Sequence, residues 1–189
     1  EIIHELKQYF GGSVLPLQYP VNCGIGFDSV IDLLKMKLLK FPVGGGKMIV
    51  EDIPASEHSK AEDMRNTIIE AAAENDEELM NKFFEEGSLT EEEIAKGLRL
   101  GIAHRGTFPV LCIAAKNDQG VTQLMDFIKS NCPSPEEVDG VKTLTGKVLK
   151  CKSSDPAMAY VFKTAIEQHL GEVSFMKIYA GEITEAIDL

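Results

Sequence analysis

No apolar run in the 189 residues approaches the roughly 20 that a membrane-spanning helix needs; Val110 to Ala115 is among the longest. No membrane association is expected. The first residues, Glu1-Ile2-Ile3-His4-Glu5-Leu6, place acids where a secretory leader carries a basic head and an apolar block, so no export signal is read. Cysteine is scarce: Cys23, Cys112, Cys132 and Cys151 are 89, 20 and 19 residues apart, with no Cys-x-x-Cys pair and no His at metal-ligand spacing. Reduced thiols in a cytoplasmic protein are the expectation, with Cys112 in the core. The four histidines are scattered, none beside an acid and a nucleophile in a hydrolase arrangement. Neighbouring acids such as Glu77-Glu78 and Glu91-Glu92-Glu93 point apart on a helix and read as solvated charge. Repeats and low-complexity tracts are also missing.

The phosphate loop is absent too. Gly44-Gly45-Gly46-Lys47 invites that reading, but the motif needs a glycine at position 41 and Ser or Thr at 48, where Phe41 and Met48 stand. Gly146-Lys147 fails the same test at Val141 and Val148. Asn81-Lys82-Phe83-Phe84 lacks the Asp of the Asn-Lys-x-Asp guanine motif.

What remains is a globular chain, 44% hydrophobic and 26% charged, able to bury at least one core. Its net charge of −11 is unevenly spread. Between Glu51 and Glu93 stand 15 acids against three Lys and Arg, which leaves the rest of the chain at about +1. Such a segment repels nucleic-acid phosphates. Two readings of it stand side by side: a contact surface for a protein, or a solvated helical face.

Periodicity supplies the elements. Ile2, Ile3, Leu6, Tyr9 and Phe10 predict a helix stopped at Gly11-Gly12, and Ser13 to Val21 a short strand leading into a loop. The run from Phe27 to Ile53 predicts two short strands around a glycine turn. Three acidic helices follow: one capped by Ser59 with Glu62, one from about Asp76 to Glu86 stopped at Gly87, and one opened by Thr90 with Glu93. Phe108 to Ala115 reads as a fully buried strand of a parallel sheet. A polar turn and a helix carrying Val121, Leu124, Met125, Phe127 and Ile128 come next, closing a doubly wound α/β unit. Residues 133 to 140 have linker composition, and Ala157 to Ala165, Gly171 to Ala180 and Ile183 to Leu189 are β-rich.

Several stretches, in order, resemble elongation factor G and its close paralogues. They are Val14-Leu15-Pro16-Leu17-Gln18-Tyr19-Pro20, Val30 to Lys37, and Arg65 to Met80 with its Asp76-Glu77-Glu78-Leu79-Met80. Next come Pro109-Val110-Leu111-Cys112 with Lys116-Asn117, Gly120-Val121 and Leu124, and then Pro133-Ser134-Pro135. The last are Val161 to Thr164, Gly171, Ser174-Phe175 and Ile178-Tyr179-Ala180-Gly181. The resemblance covers almost the whole chain. It implies an α/β fold: a partial doubly wound P-loop-GTPase domain with an α+β insert, followed by the first strands of a β-barrel domain. The implied division is 1–26 for the end of the GTP-binding domain, 27–106 for the acidic insert, 107–135 for the last strand and helix of that domain, and 136–189 for a linker and a β-domain barely begun.

By the same resemblance the parent protein binds GTP or GDP with Mg²⁺ and drives ribosomal translocation of transfer and messenger RNA, while this chain alone is catalytically incompetent. The acidic segment would meet the ribosomal stalk protein; no nucleic-acid contact is assigned to the chain. One nucleotide element is left: the guanine-side turn, Ser-Ala-x in the family and Ala114-Ala115-Lys116 here. Its backbone amides face the guanine carbonyl in the family, so alanine keeps the donors and loses a hydroxyl that steadies the turn. A release or recycling paralogue, and a freestanding acidic adaptor binding a ribosomal protein, are the alternative readings.

Overall fold

The opening helix α1, Ile2–Phe10, ends where Gly11 takes φ 68° and donates its N–H to the Lys7 carbonyl. The structure, a computed structural model, describes residues 1–42, 47–137 and 140–184. The glycine turn expected at Gly44-Gly45-Gly46 lies outside them, as does most of the run from Ile183 to Leu189. The chain is mixed α/β and divides into two units, Glu1–Cys132 and Pro133–Leu189.

In the first unit, β1 (Val14–Pro16) pairs in parallel with β6 (Phe108–Val110), and everything between them is the crossover. At Leu17 the chain changes sheets. Its N–H donates to the Val110 carbonyl at 2.9 Å, while its own carbonyl accepts from the Leu33 N–H at 3.0 Å. One residue thus ties the parallel pair to a four-stranded antiparallel sheet, β2 (Gln18–Pro20), β3 (Ser29–Asp32), β4 (Lys37–Lys40) and β5 (Ile49–Glu51), in that order. The expected single strand over Ser13 to Val21 is therefore two, divided at a buried leucine. Where two strands were expected after Phe27, three form. The extra turn is cut at Leu33-Leu34-Lys35-Met36, because the Asp32 carboxylate accepts the N–H groups of both Leu34 and Lys35 at 3.0 Å and Met36 takes φ 50°.

Helices α2 (Ala55–Ala73), α3 (Glu77–Glu86) and α4 (Glu91–Ala103) follow. The start of α2 differs from expectation. Pro54 holds the N-cap position with extended φ/ψ, so Ser59 lies inside the helix and makes no cap with Glu62. Helix α3 starts and stops as read, and α4 starts as read. Asp76 accepts the N–H groups of Glu78 and Leu79, Gly87 closes α3 in the left-handed conformation, and Thr90 with Glu93 forms a complete capping box. Ile68, Ile69, Ala72, Leu79, Ile94 and Leu98 from these helices share one core with Leu17, Ile31 and Leu33 of the sheet. Tyr19 fastens β2 to α2: its hydroxyl donates to Glu57 at 2.9 Å and the Lys60 ammonium sits 3.8 Å from its ring centre. Burial, and then the Glu57 carboxylate, push the phenol well above its ordinary range.

The expected fully buried strand from Phe108 to Ala115 is corrected. Only Phe108–Val110 is extended in a sheet; Phe108 is 37% exposed and Ile113 42%. Among the described residues β6 has one strand neighbour, β1, so one edge of the pair is unpaired and part of its apolar surface is uncovered. Helix α5, Val121–Asn131, forms as read and buries Phe127.

The second unit begins at Pro133 and holds two hairpins, β7 (Val141–Lys142) with β8 (Val148–Leu149), and β9 (Met158–Glu167) with β10 (Gly171–Ala180). The long hairpin has register shifts between Phe175 and Met176 and between Ile178 and Ala180.

Candidate functional site: the turn after β6 and the acidic helices

The turn after β6 is built almost wholly from backbone. Cys112 anchors its approach: its N–H donates to Gln18 Oε1 at 3.3 Å and its thiol to the Gln18 carbonyl at 3.7 Å. Cys112 is half-buried and packs against the buried cluster of Val30, Leu39 and Phe41; burial pushes its thiol up, away from thiolate chemistry. The loop then closes on itself. Ala114 N–H donates to the Gln119 carbonyl at 2.9 Å, and Gln119 N–H returns to the Ala114 carbonyl at 3.2 Å. Inside this ring, Asn117 N–H donates to Ala114 O at 2.9 Å and Asp118 N–H to Ala115 O at 3.1 Å, making one 3₁₀ turn over Ala115–Asn117.

Two left-handed residues bring the chain back. Asp118 has φ 56° and Gly120 φ 76°. At Gly120 a Cβ would stand 2.7 Å from the Cys112 carbonyl oxygen, so both conformation and space require glycine. Gly120 is also the N-cap of α5, so the turn delivers the chain directly into that helix.

These bonds leave the N–H groups of Ala115 and Lys116 without an acceptor among the described residues, on two exposed residues. Adjacent free donors on an exposed turn suit an oxygen acceptor. The structure thus brings Ala114, Ala115 and Lys116 into one turn, with Ala114 committed to closing the loop and the other two presenting donors. The Lys116 ammonium has no carboxylate partner among the described residues. The sequence did not disclose two further residues. Gln18 holds the approach to the turn, and a buried glutamine in an apolar segment was its only signal. Gln119 is 6% exposed, and its Oε1 is buried without a partner.

The acidic segment lies on β5 and helices α2 to α4. The lysines of these helices are consumed locally. Lys82 meets Glu93 at 2.7 Å and Glu86 at 3.8 Å; Lys96 meets Asp76 at 2.8 Å and Glu78 at 3.9 Å; Lys60 meets Glu57 at 3.7 Å. Hydrogen bonding to these ammonium groups holds Asp76 and Glu93 below the usual carboxylate range and raises both lysines. The Arg65 guanidinium is spent on the Leu33 and Leu34 carbonyls, at 2.7 Å for the first. Asp63, Glu70, Glu77, Glu85, Glu91 and Glu92 have no basic partner among the described residues. Phe84, 76% exposed, stands on α3 next to Glu85.

Among the described residues no group of three or more His, Cys, Asp or Glu is placed to hold a metal ion, and no helix is long and apolar enough to cross a membrane.

No family model matches the chain. Among solved structures, 76 chains match it. One is the crystal structure of ttk003000868 from Thermus thermophilus, with a TM-score of 0.75 and 24% sequence identity over 95% of this chain. The present chain spans 25% of that protein's length. At this identity the likeness establishes a shared mixed α/β fold.

Proposed function

We propose that this chain is an internal part of a translational GTPase resembling elongation factor G: the end of its nucleotide-binding domain, the acidic insert, and the beginning of its second, β-barrel domain. The observation that carries the reading is the β1–β6 pair. Parallel strands are stable where helices cover both faces of a wider sheet. Here two three-residue parallel strands leave Phe10, Phe108 and Ile113 exposed and run into a turn with free amides and then a helix. This supports reading the pair, turn and helix as the last strand, guanine-side turn and last helix of a doubly wound nucleotide domain, with the antiparallel sheet and α2 to α4 inserted at Leu17.

In this reading the Ala115 and Lys116 amides receive the guanine carbonyl of GTP or GDP, and Ala114, in place of serine, closes the loop by backbone alone. The residues present fit that one contact. By the resemblance, the phosphate loop, the segments that hold Mg²⁺ and the group that orients the water belong to other parts of the parent, and hydrolysis with them. The parent works in the cytoplasm, on the ribosome, in translocation or in the release and recycling steps of paralogues. The acidic helices meet the stalk protein, and their uncompensated carboxylates favour a basic partner surface.

The test is an immunoblot of source-cell extract with an antibody raised against this chain, paired with photo-crosslinking of labelled GTP. A band several times heavier than 20.7 kDa that takes up the label is expected. A single unlabelled band at 20.7 kDa would overturn the reading and leave a freestanding acidic adaptor.

A further inference from the structure

The antiparallel sheet of the first unit uses its two faces differently. Tyr19, Ile31 and Leu38 belong to the core shared with the acidic helices. Gln18, Asp32, Leu39 and Val50 alternate with them on the other face, where Gln18 stands opposite Asp32 and Leu39 opposite Val50. Helix α5 lies over this second face without filling the space, and a cavity of 280 Å³ remains between them, lined by Phe127 and Asn131 from the helix side. Gln123, one turn before Phe127, bridges the two sides: its Nε2 donates to Met48 Sδ at 3.0 Å.

Three polar side chains on the cavity wall are more than nine-tenths buried, Gln18 at 5% exposure and Asp32 and Asn131 at 8% each. Among the described residues each has one satisfied polar atom and one free. Gln18 Oε1 accepts the Cys112 N–H, which fixes the amide's orientation and leaves Nε2 as a donor without an acceptor. Asp32 Oδ1 accepts the N–H groups of Leu34 and Lys35, and Oδ2 accepts none. Asn131 Nδ2 donates to the Phe127 carbonyl at 3.1 Å, and Oδ1 accepts none. Unlike Gln119 Oε1, none of these three free atoms is sealed off. Asn131 stands where the cavity meets a second one, of 180 Å³, against α4. Three half-satisfied polar groups around an apolar wall of Leu17, Leu39 and Phe127 are the composition of a small-molecule site: apolar lining, with a few polar groups that fix orientation. The charged residues of the lining are Asp32, Asp126 and Lys35, which leaves one net negative charge.

We propose that this cavity binds a small organic cation: a primary ammonium on an apolar body, with a carbonyl or hydroxyl oxygen beside it. The ammonium donates to Asp32 Oδ2, a charge-assisted bond, and Asn131 Oδ1 offers a second acceptor from the helix side. The ligand's oxygen accepts from Gln18 Nε2, and its body packs against Leu17, Leu39 and Phe127. The volume falls just under the roughly 300 Å³ at which sites for drug-sized ligands begin, so the ligand is no larger than an amino-acid amide. This goes beyond the proposed function and does not depend on it, because it rests on the geometry of the first unit alone.

Titration of L-phenylalaninamide into the isotope-labelled 189-residue chain, followed by two-dimensional amide NMR, tests the proposal. The Gln18 side-chain amide and the Leu34 and Lys35 backbone amides should shift together and saturate, with a Kd of about 1 mM for so small a ligand. Hydrocinnamamide keeps the ring and the carboxamide but lacks the ammonium, and should bind about tenfold more weakly or worse. Asp32→Asn keeps an oxygen to accept the Leu34 and Lys35 N–H groups and removes the charge; it should weaken phenylalaninamide binding by a similar factor. Three results overturn the proposal. One is the absence of a saturable shift at these amides up to about 10 mM. Another is equal binding of the two ligands, which would mark a plain apolar cleft. The third is unchanged affinity in a folded Asp32→Asn protein. The first two use the unsubstituted chain, so they stand even if the variant fails to fold.

Discussion

Gly97 lies where α4 crosses α2, and replacing it with alanine separates two effects that usually act together. A Cβ built on Gly97 would stand 2.2 Å from the Ala72 carbonyl oxygen, 2.7 Å from its carbonyl carbon and 3.0 Å from its Cα. In an unobstructed helix the change gains about 1 kcal/mol from helix propensity. Here the obstacle is backbone in the last turn of α2, flanked by Ile68, Ile69 and Ala73, all buried, so it cannot swing aside as a side chain would. Restoring ordinary contact requires the helices to part by about 1 Å, in a core packed too densely to follow. Overpacking of this kind costs about 1–3 kcal/mol; a backbone obstacle puts it at or beyond the upper end, and offsetting the propensity gain leaves a net loss of about 2 kcal/mol.

The assay is urea denaturation followed by helical circular dichroism. The α-helices among the described residues all lie in the first unit, so the signal reports on that unit. The midpoint should fall by about 1 M, and the thermal transition by about 4–8 °C. Gly12→Ala is the control, since nothing lies within 4 Å of its Cβ; it should change stability by less than about 0.5 kcal/mol. A Gly97→Ala midpoint equal to or above that of the unsubstituted chain would refute the close helix crossing on which the placement of the acidic face depends.

Two further outcomes follow from the acidic helices. Thr90→Ala removes one half of the capping box and should lower stability by about 1 kcal/mol in the same urea assay, with Thr90→Ser close to unchanged. Asp76 and Glu93 are held below their ordinary values of 3.8 and 4.5, first of all by hydrogen bonds to Lys96 and Lys82. Their contribution is therefore fully present above those ordinary values and is lost as pH falls through the lowered ones. The urea midpoint should drop on acidification below about pH 4, and Lys96→Met should narrow the difference between about pH 6 and pH 3 by relieving Asp76; equal pH dependence in the two proteins would count against the pair.

Legibility followed the range of the signal. Both ends of α3 and the start of α4 were readable because Asp76, Gly87 and the Thr90–Glu93 pair act within four residues of the helix ends they fix. The same kind of motif misled at Ser59 and Glu62. Ser-x-x-Glu is equally compatible with a helix interior, and here Ile53, 5% exposed, and Pro54 set the entry one turn earlier. The β3–β4 turn was hidden because Leu33 and Leu34 continue an apolar run, while the bonds that bend the chain come from Asp32 before it. The length and burial of β6 depend on which strands lie beside it, a long-range fact that an apolar run cannot carry.

The turn after β6 shows where reading residues stops and reading backbone starts. Ala114, Ala115 and Lys116 have side chains that say little about binding, and resemblance alone drew attention to them. Their relevance comes from which N–H groups the loop consumes. The reciprocal Ala114–Gln119 bonds and the two 3₁₀ bonds use four donors and leave those of Ala115 and Lys116 free, an arrangement that rests on left-handed Asp118 and on a glycine at position 120. A serine at position 114 would add a side-chain hydroxyl beside a loop already closed by its own backbone. Loss of that hydroxyl therefore leaves the geometry of the free amides intact. In the nucleotide-binding role proposed above, any weakening would have to come from the turn's mobility, not from a missing donor.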